Sequence, residues 1–274
     1  MKILLFGSNG QVGSAIQKLI PKNFDFLALC KNEKKFCGNL ENFGGIAETI
    51  SIFKPNIIIN AAAFTNVDLC ETEKKKAYNI NSLAVKYLAE EAKKINSFLI
   101  HYSTDYIFND QNNLPISEKQ IPSPLNYYGK TKLAGEQNII AADCDYAIIR
   151  TSWVYSAEGN NFLKTILNLQ SSKKEINVVN DQFGSPTFSE DIANFTITII
   201  KNLISNIDDI KYKKNIYHFT TDGTTNWYEY AKFIISCADK YEFKKKIKRA
   251  NIFPVTSDQY KTMALRPKNS KLDN

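Results

Sequence analysis

Arginine is scarce in this chain. Of 35 basic residues only Arg150, Arg249 and Arg266 are arginine, so the net charge of +7 rests almost wholly on lysine. Readers of nucleic acid favour arginine forks and clustered aromatic platforms, and the sequence offers neither. Its lysines, as in the runs 71–76 and 244–249, read as solvated surface, with at most long-range steering of anionic metabolites. Cysteine is sparse too. Cys30, Cys37, Cys70, Cys144 and Cys237 are odd in number, scattered and without a C-x-x-C pair, which argues against a disulfide framework or a zinc site and for a reducing cytosol. No apolar run approaches the roughly 18 residues needed to span a bilayer; the best, 57–64, is interrupted by Asn60. The opening stretch Ile3, Leu4, Leu5, Phe6 stops at Gly7, too short for a signal peptide. Repeats and low-complexity linkers are also missing. The expectation is a cytoplasmic globular protein with neither nucleic acid nor membrane as partner.

What is present is a rhythm. A length of 274 residues suits one large α/β unit or two interlocked ones. In the first half, short apolar runs at 2–6, 24–30, 56–60, 97–102 and 145–150 read as strands. Between them 11–20, 45–53, 75–95 and 125–141 read as helices. In 75–95 the residues Ala77, Ile80, Ala84, Leu88 and Ala92 keep helical spacing. Such alternation predicts a Rossmann-like, doubly wound α/β fold with a parallel sheet. After Trp153 the rhythm loosens. Helices at 160–169, 189–204 and 227–238 and strands at 176–179 and 216–219 suggest a smaller C-terminal substrate-binding lobe over the carboxyl ends of the strands, where ligands bind in open α/β folds. The expected division is 1–150 for a dinucleotide-binding domain, rejoined by helix 189–204, and 151–274 for the lobe.

Gly7, Gly10 and Gly13 stand between the first strand and the first helix in G-x-x-G-x-x-G spacing. Glycines there let the backbone approach a pyrophosphate, and the helix N-terminus attracts the anion; a glycine-rich turn without a ligand is the plainer reading. The second strand ends Leu29, Cys30, Lys31 instead of in the acid that grips the ribose 2′-hydroxyl of NAD. Lys31, Lys34 and Lys35 either favour the 2′-phosphate of NADP or form an exposed loop. Asn60 and the small Ala61, Ala62 and Ala63 close the third strand, leaving room for a cofactor or merely packing tightly. Asn81 is either a surface residue or a clamp near a catalytic lysine. Tyr128 and Lys132, four apart, share a helix face, so the ammonium can lie near the phenol and lower its pKa from about 10. The pair gains weight from Ser103, Thr104 and Asp105 at the end of the preceding strand, whose hydroxyls can meet the same substrate oxygen.

Together these features resemble the extended short-chain dehydrogenase/reductases. More narrowly, HYSTDYIF at 101–108, SPLNYYGKTKLAGE at 123–136, RTSWVY at 150–155, GNNF at 159–162, NDQFGSPT at 180–187, GTT at 223–225 and the pair Arg266, Pro267 resemble the dTDP-4-dehydrorhamnose reductase family, from residue 1 to the end. The resemblance implies reduction, by NADPH or NADH, of the 4-keto group of dTDP-4-dehydro-L-rhamnose, a nucleotide-sugar partner, by a monomer or homodimer. It implies that Tyr128 protonates the carbonyl oxygen, that Lys132 holds the nicotinamide ribose and that Thr104 hydrogen-bonds the reacting oxygen. The implied cofactor positions are Gly7, Asn9, Gly10, Gln11, Val12, Gly13, Cys30, Asn39, Leu40, Ala61, Ala62 and Ala63 with Tyr128 and Lys132. The implied substrate positions are Thr104, Asp105, Tyr128, Trp153 and Arg266, the last toward the diphosphate; a core tryptophan and a surface ion pair are the plain readings of Trp153 and Arg266.

Three departures stand out. Cys30 and Asn39 replace aspartates common near the adenosine, so NADPH is expected to serve at least as well as NADH. Ala15 occupies the place of a first-helix acid that helps some members hold magnesium, although Glu190 and Asp191 remain, so no metal is expected. The segment 263–272 is expected to be extended or looped, because Pro267 restricts its predecessor, and to be ordered by substrate. The rival enzymes are a reductase or epimerase for another nucleotide-linked deoxysugar. A 4,6-dehydratase would need an acid where Tyr106 stands. A non-catalytic, reductase-like regulatory subunit is the rival of another class, opposed by the presence of Tyr128, Lys132 and Thr104 together.

Overall fold

The computed structural model describes residues 1–109, 114–205, 213–241 and 250–274; the basic run 244–249 lies outside them. The first half alternates β1 (Lys2–Phe6), α1 (Gln11–Leu19), β2 (Asp25–Leu29), α2 (Phe43–Phe53), β3 (Ile57–Asn60), α3 (Val67–Thr72), α4 (Lys74–Tyr78), α5 (Ala84–Lys94), β4 (Phe98–Thr104), α6 (Tyr127–Ala142) and β5 (Asp145–Thr151). The remainder holds β6 (Val154–Tyr155), α7 (Phe162–Ser172), β7 (Glu175–Val179), β8 (Phe183–Gly184), β9 (Thr187–Phe188), α8 (Ser189–Ser205), β10 (Asn215–His218), β11 (Thr225–Asn226), α9 (Trp227–Lys240) and β12 (Asn251–Val255).

Six strands form one parallel sheet in the order β10-β5-β4-β3-β1-β2. Strands buried on both faces read as unbroken apolar runs, and β1 shows why. Its Leu4 and Phe6 join the core under α2, α5 and α6, while Ile3 and Leu5 join the core under α1 and α8. The direction of winding reverses between β1 and β3, and that switch point opens a crevice at the carboxyl ends of the strands. Trp153, Phe162, Ile166, Tyr230 and Ile234 build a separate, smaller core among α7, α9, β7 and β12. Among the described residues no helix is long and apolar enough to cross a membrane.

Three expectations need correction. The strand foreseen at 216–219 is not in the lobe: β10 pairs with β5 and forms an edge of the main sheet. The continuous helix foreseen at 75–95 is interrupted by a π-helical turn at Asn79–Leu83. Asn81 sits in the interruption; its side chain is buried and turned inward, accepting from the Phe64 N–H at 2.8 Å and donating to the Phe64 carbonyl at 3.0 Å and to Thr131 Oγ1 at 3.1 Å. It is therefore not a surface residue. Against the carbonyl of Asn81 lies Gly135 of α6, where a Cβ would come within 2.3 Å. Finally, the C-terminal segment is already held. Ile116 and Leu272 form a bridge, Ser270 N–H donates to the Phe183 carbonyl at 2.8 Å, and Leu272 is buried with Ile107, Phe108 and Ile116.

Candidate active site

A cleft of about 610 Å³ runs along the carboxyl ends of the strands, from the glycine turn after β1 to Tyr128 and Lys132 on α6. Gly7 has φ +86°, and a Cβ on it would lie 2.6 Å from the Ala62 nitrogen; only glycine lets the turn close against the end of β3. Gly13 is buried beneath, against the Gly7 carbonyl. Helix α1 starts at Gly10 without a side-chain cap, so its first N–H groups stay available to an anion. Gln11 ties this turn to the later segment: its amide donates to the Val154 carbonyl at 3.2 Å and accepts from Asn161 at 2.9 Å.

Every expected cofactor residue except Gly13 lines this cleft: Gly7, Asn9, Gly10, Gln11, Val12, Cys30, Asn39, Leu40, Ala61, Ala62, Ala63, Tyr128 and Lys132. Thr65, Ile80, Thr151, Gly159 and Asn160 line it too and were missed. Thr151 had a readable signal, since it ends β5 as Thr104 ends β4. The hydroxyls of Ser103 and Thr151 are buried in the cleft wall without a protein partner, which fits a polar ligand there. At the tip of β2, Lys31 lines the cleft but is paired with Glu41 at 2.7 Å. Glu33 reaches back to within 3.8 Å of Cys30 Sγ, a carboxylate near the tip that the strand pattern does not reveal.

At the other end, Asn126 caps α6 by accepting from the Gly129 N–H at 2.8 Å. One turn apart on α6, Tyr128 meets the Thr104 hydroxyl and Lys132 donates to the Tyr102 carbonyl at 2.6 Å, with His101 Nε2 3.2 Å away. Thr104 donates in turn to Asp105 Oδ1 at 2.9 Å. Burial raises the Tyr128 phenol above its ordinary range; the Thr104 bond opposes this, and Asp105, Tyr106 and Cys70 add to it. Burial also brings Lys132 down to about 8 against the pull of Glu136. The expected lowering of the phenol is thus not found in this arrangement. Desolvation is the largest influence on the phenol, and the Lys132 nitrogen is turned toward the Tyr102 carbonyl instead.

Asp105 is buried, with Oδ2 unpartnered. Burial lifts its carboxyl to about 6, although bonds with Ser270 and Thr104 pull the other way. Thr104, Asp105, Trp153 and Arg266 are not in the wall of the cleft; Thr104 lies just behind it, against Tyr128. Trp153 adopts φ +46° and stacks on Trp227, ring centroids 3.4 Å apart, at the edge of the smaller core. Arg266 pairs with Asp68 at 2.8 Å and bonds Tyr106, joining the C-terminal segment to α3.

The model of the RmlD substrate binding domain matches residues 1–274. The dTDP-4-dehydrorhamnose reductase of Escherichia coli (strain K12) is 40% identical over 273 residues, covering 100% of this chain and 89% of the relative. The crystal structure of dTDP-4-dehydrorhamnose reductase from Bacillus anthracis in complex with NADP superposes with TM-score 0.87 at 32% identity, over 99% of this chain and 90% of that one. The crystal structure of a dTDP-4-dehydrorhamnose reductase from Clostridium acetobutylicum gives TM-score 0.88 at 35% identity, over 100% of this chain and 90% of that one.

Proposed function

This chain belongs to the family of the RmlD substrate binding domain, and from that premise we infer that it reduces the 4-keto group of dTDP-4-dehydro-L-rhamnose to give dTDP-L-rhamnose, a step of nucleotide-sugar biosynthesis, with NADPH or NADH as reductant. The observation that carries the reading is the pairing of Tyr128, with Thr104 bonded behind it, and Lys132 at one end of a cleft whose other end is a glycine turn and an uncapped helix N-terminus. The close-packed glycines and the free N–H groups of α1 suit a pyrophosphate, and the orphaned hydroxyls of Ser103 and Thr151 suit polar groups of the same ligand. When bound, the nicotinamide supplies a hydride to the carbonyl carbon.

The residues of the chain supply the rest. Tyr128 would donate to the carbonyl oxygen, and Thr104 would join it by turning its hydroxyl away from Asp105. A phenol raised by burial keeps its proton through the neutral range and is therefore loaded as the donor. The proton passes to the oxygen as the C–H bond forms, and a phenolate remains. Lys132, on the same helix face, would hold the nicotinamide ribose and, when charged, stabilise that phenolate. Asp105 and Trp153 would lie along the sugar. Arg266 would serve the diphosphate only by exchanging Asp68 for it. The test is oxidation of NADPH, and separately of NADH, with dTDP-4-dehydro-L-rhamnose, followed by identification of the product. Formation of dTDP-L-rhamnose supports the reading; turnover of a different nucleotide sugar alone would replace it.

A further inference from the structure

Behind Lys132 lie two polar side chains that the reaction does not use. Asn60 ends β3 and His101 stands opposite it in the register of β4; both, like Lys132, are almost fully buried. Hydrogen-bond polarity through such a chain is decided at its fixed end. Here the fixed end is the backbone N–H of Ala62, which donates to Asn60 Oδ1 at 3.2 Å. Asn60 therefore presents its NH₂ to His101 Nδ1, 3.1 Å away, and that nitrogen must accept. A neutral imidazole then carries its proton on Nε2, which faces Lys132 Nζ at 3.2 Å. The imidazole is neutral because burial alone, with the ring enclosed between Asn60 and Lys132, holds its pKa well below the ordinary value.

An ammonium at Lys132 would set donor against donor. An amine accepts from His101 Nε2–H and still donates to the Tyr102 carbonyl at 2.6 Å. We propose that Asn60 and His101 are positioning residues whose hydrogen-bond direction selects the uncharged amine of Lys132, so that Lys132 gains its proton only when the Asn60 amide and the His101 tautomer reverse together. The reversal leaves the Ala62 N–H without its acceptor, a cost felt in the wall of the cleft. The other ionisable groups around Lys132 do not decide this. Glu136, one turn along α6, favours the charged form but is bound to Arg150 of β5 at 2.7 Å. Asp105 at the end of β4 is held by Thr104, Tyr128 of α6 keeps its proton, and the Tyr102 hydroxyl bonds Thr196 of α8.

The consequence for catalysis rests on the reductase reading; the tautomer does not. The chain has two histidines, and they are expected to be opposite tautomers. His218 lies with Nδ1 2.9 Å from the Ile116 carbonyl and must protonate there, whereas His101 must protonate at Nε2. Long-range ¹⁵N NMR of histidine-labelled protein reads both without substrate, at a pH above about 8, where Lys132 has given up its proton. Asn60→Asp replaces the donor by an acceptor of nearly the same shape. It is expected to turn His101 to the Nδ1–H form and to move the alkaline limb of kcat/KM upward by about one pH unit, a tenfold change in proton affinity. Asn60→Ala, which adds no charge, should move it the same way by less. A His101 protonated at Nδ1 in the unmodified protein overturns the proposal, whether or not any variant folds. So does a limb that stays in place while the tautomer of the variant has switched, which is the mark of a packing role. Should no 4-keto sugar nucleotide be turned over, the limb is read from the pH dependence of NADPH binding.

Discussion

Replacing Tyr128 by phenylalanine removes the hydroxyl that Thr104 meets and keeps the ring that packs edge-on against Tyr106, with centroids 5.7 Å apart. NADPH binding to Tyr128→Phe, followed by fluorescence, should stay near that of the unmodified protein, while kcat falls by about 10²–10⁴-fold; turnover within threefold would sink the assignment. Asp105 offers a test of burial. Its folded-state pKa is raised from 3.8 to about 6, so the folded protein binds that proton more tightly than the unfolded chain does. The buried carboxylate costs nothing below about pH 4; the cost grows between about pH 4 and 6 and is complete above 6. Asp105→Asn should accordingly stabilise the fold by about 3 kcal/mol at pH 7.5 and by only about 1 kcal/mol at pH 4.5, measured by urea unfolding at both. An equal gain at both values would discredit the raised carboxyl. The spacing of Tyr128 and Lys132 was readable in the sequence because a helix repeats locally. The upward shift of the phenol was not, because burial is set by segments far apart in the chain.

Among the elements, the tip of β2 is expected to decide which reductant serves better. Cys30 carries no charge to repel a 2′-phosphate, and Lys31 lines the cleft nearby, though paired with Glu41. NADPH is expected to be used at least as well as NADH, judged by kcat/KM for each, and Cys30→Asp should shift the ratio toward NADH. A tenfold preference of the unmodified protein for NADH would contradict this. The parallel strands and their covering helices were legible because a sheet buried on both faces leaves unbroken apolar runs such as Ile57, Ile58 and Ile59. The π-helical turn at Asn79–Leu83 was not, since Ala77 and Ala84 keep their buried positions on either side of it. The two-residue strands β6, β8, β9 and β11 are too short for any periodicity to mark. Gln11 and Thr151 show the same limit at the site: one was placed by the resemblance, and the other needed the end of β5 to be located.

The molecule as a whole is closed by its C-terminal segment. Leu272 fills the small core with Ile107, Phe108 and Ile116, and Ser270 reaches Asp105 beside the site. Leu272→Ala should cost about 2–4 kcal/mol in denaturant unfolding, and hydrogen exchange over 268–274 should be slow with or without sugar nucleotide. Exchange that slows only on adding the nucleotide would restore the expectation of a substrate-ordered tail. The late arrival of β10 has a different kind of consequence, one that falls during synthesis. When residue 151 has left the ribosome, five strands of the sheet exist, but β5 is still an open edge, and the face carrying Ile57, Ile59 and Ile149 still lacks α8. At about 5–20 residues per second, β10 follows on the order of ten seconds later. During that interval an isoleucine-rich edge and face are exposed to other nascent chains. A fragment ending at 151 should therefore aggregate rather than fold, and the full chain should gain in yield from slow growth or from a chaperone that shelters a half-covered sheet.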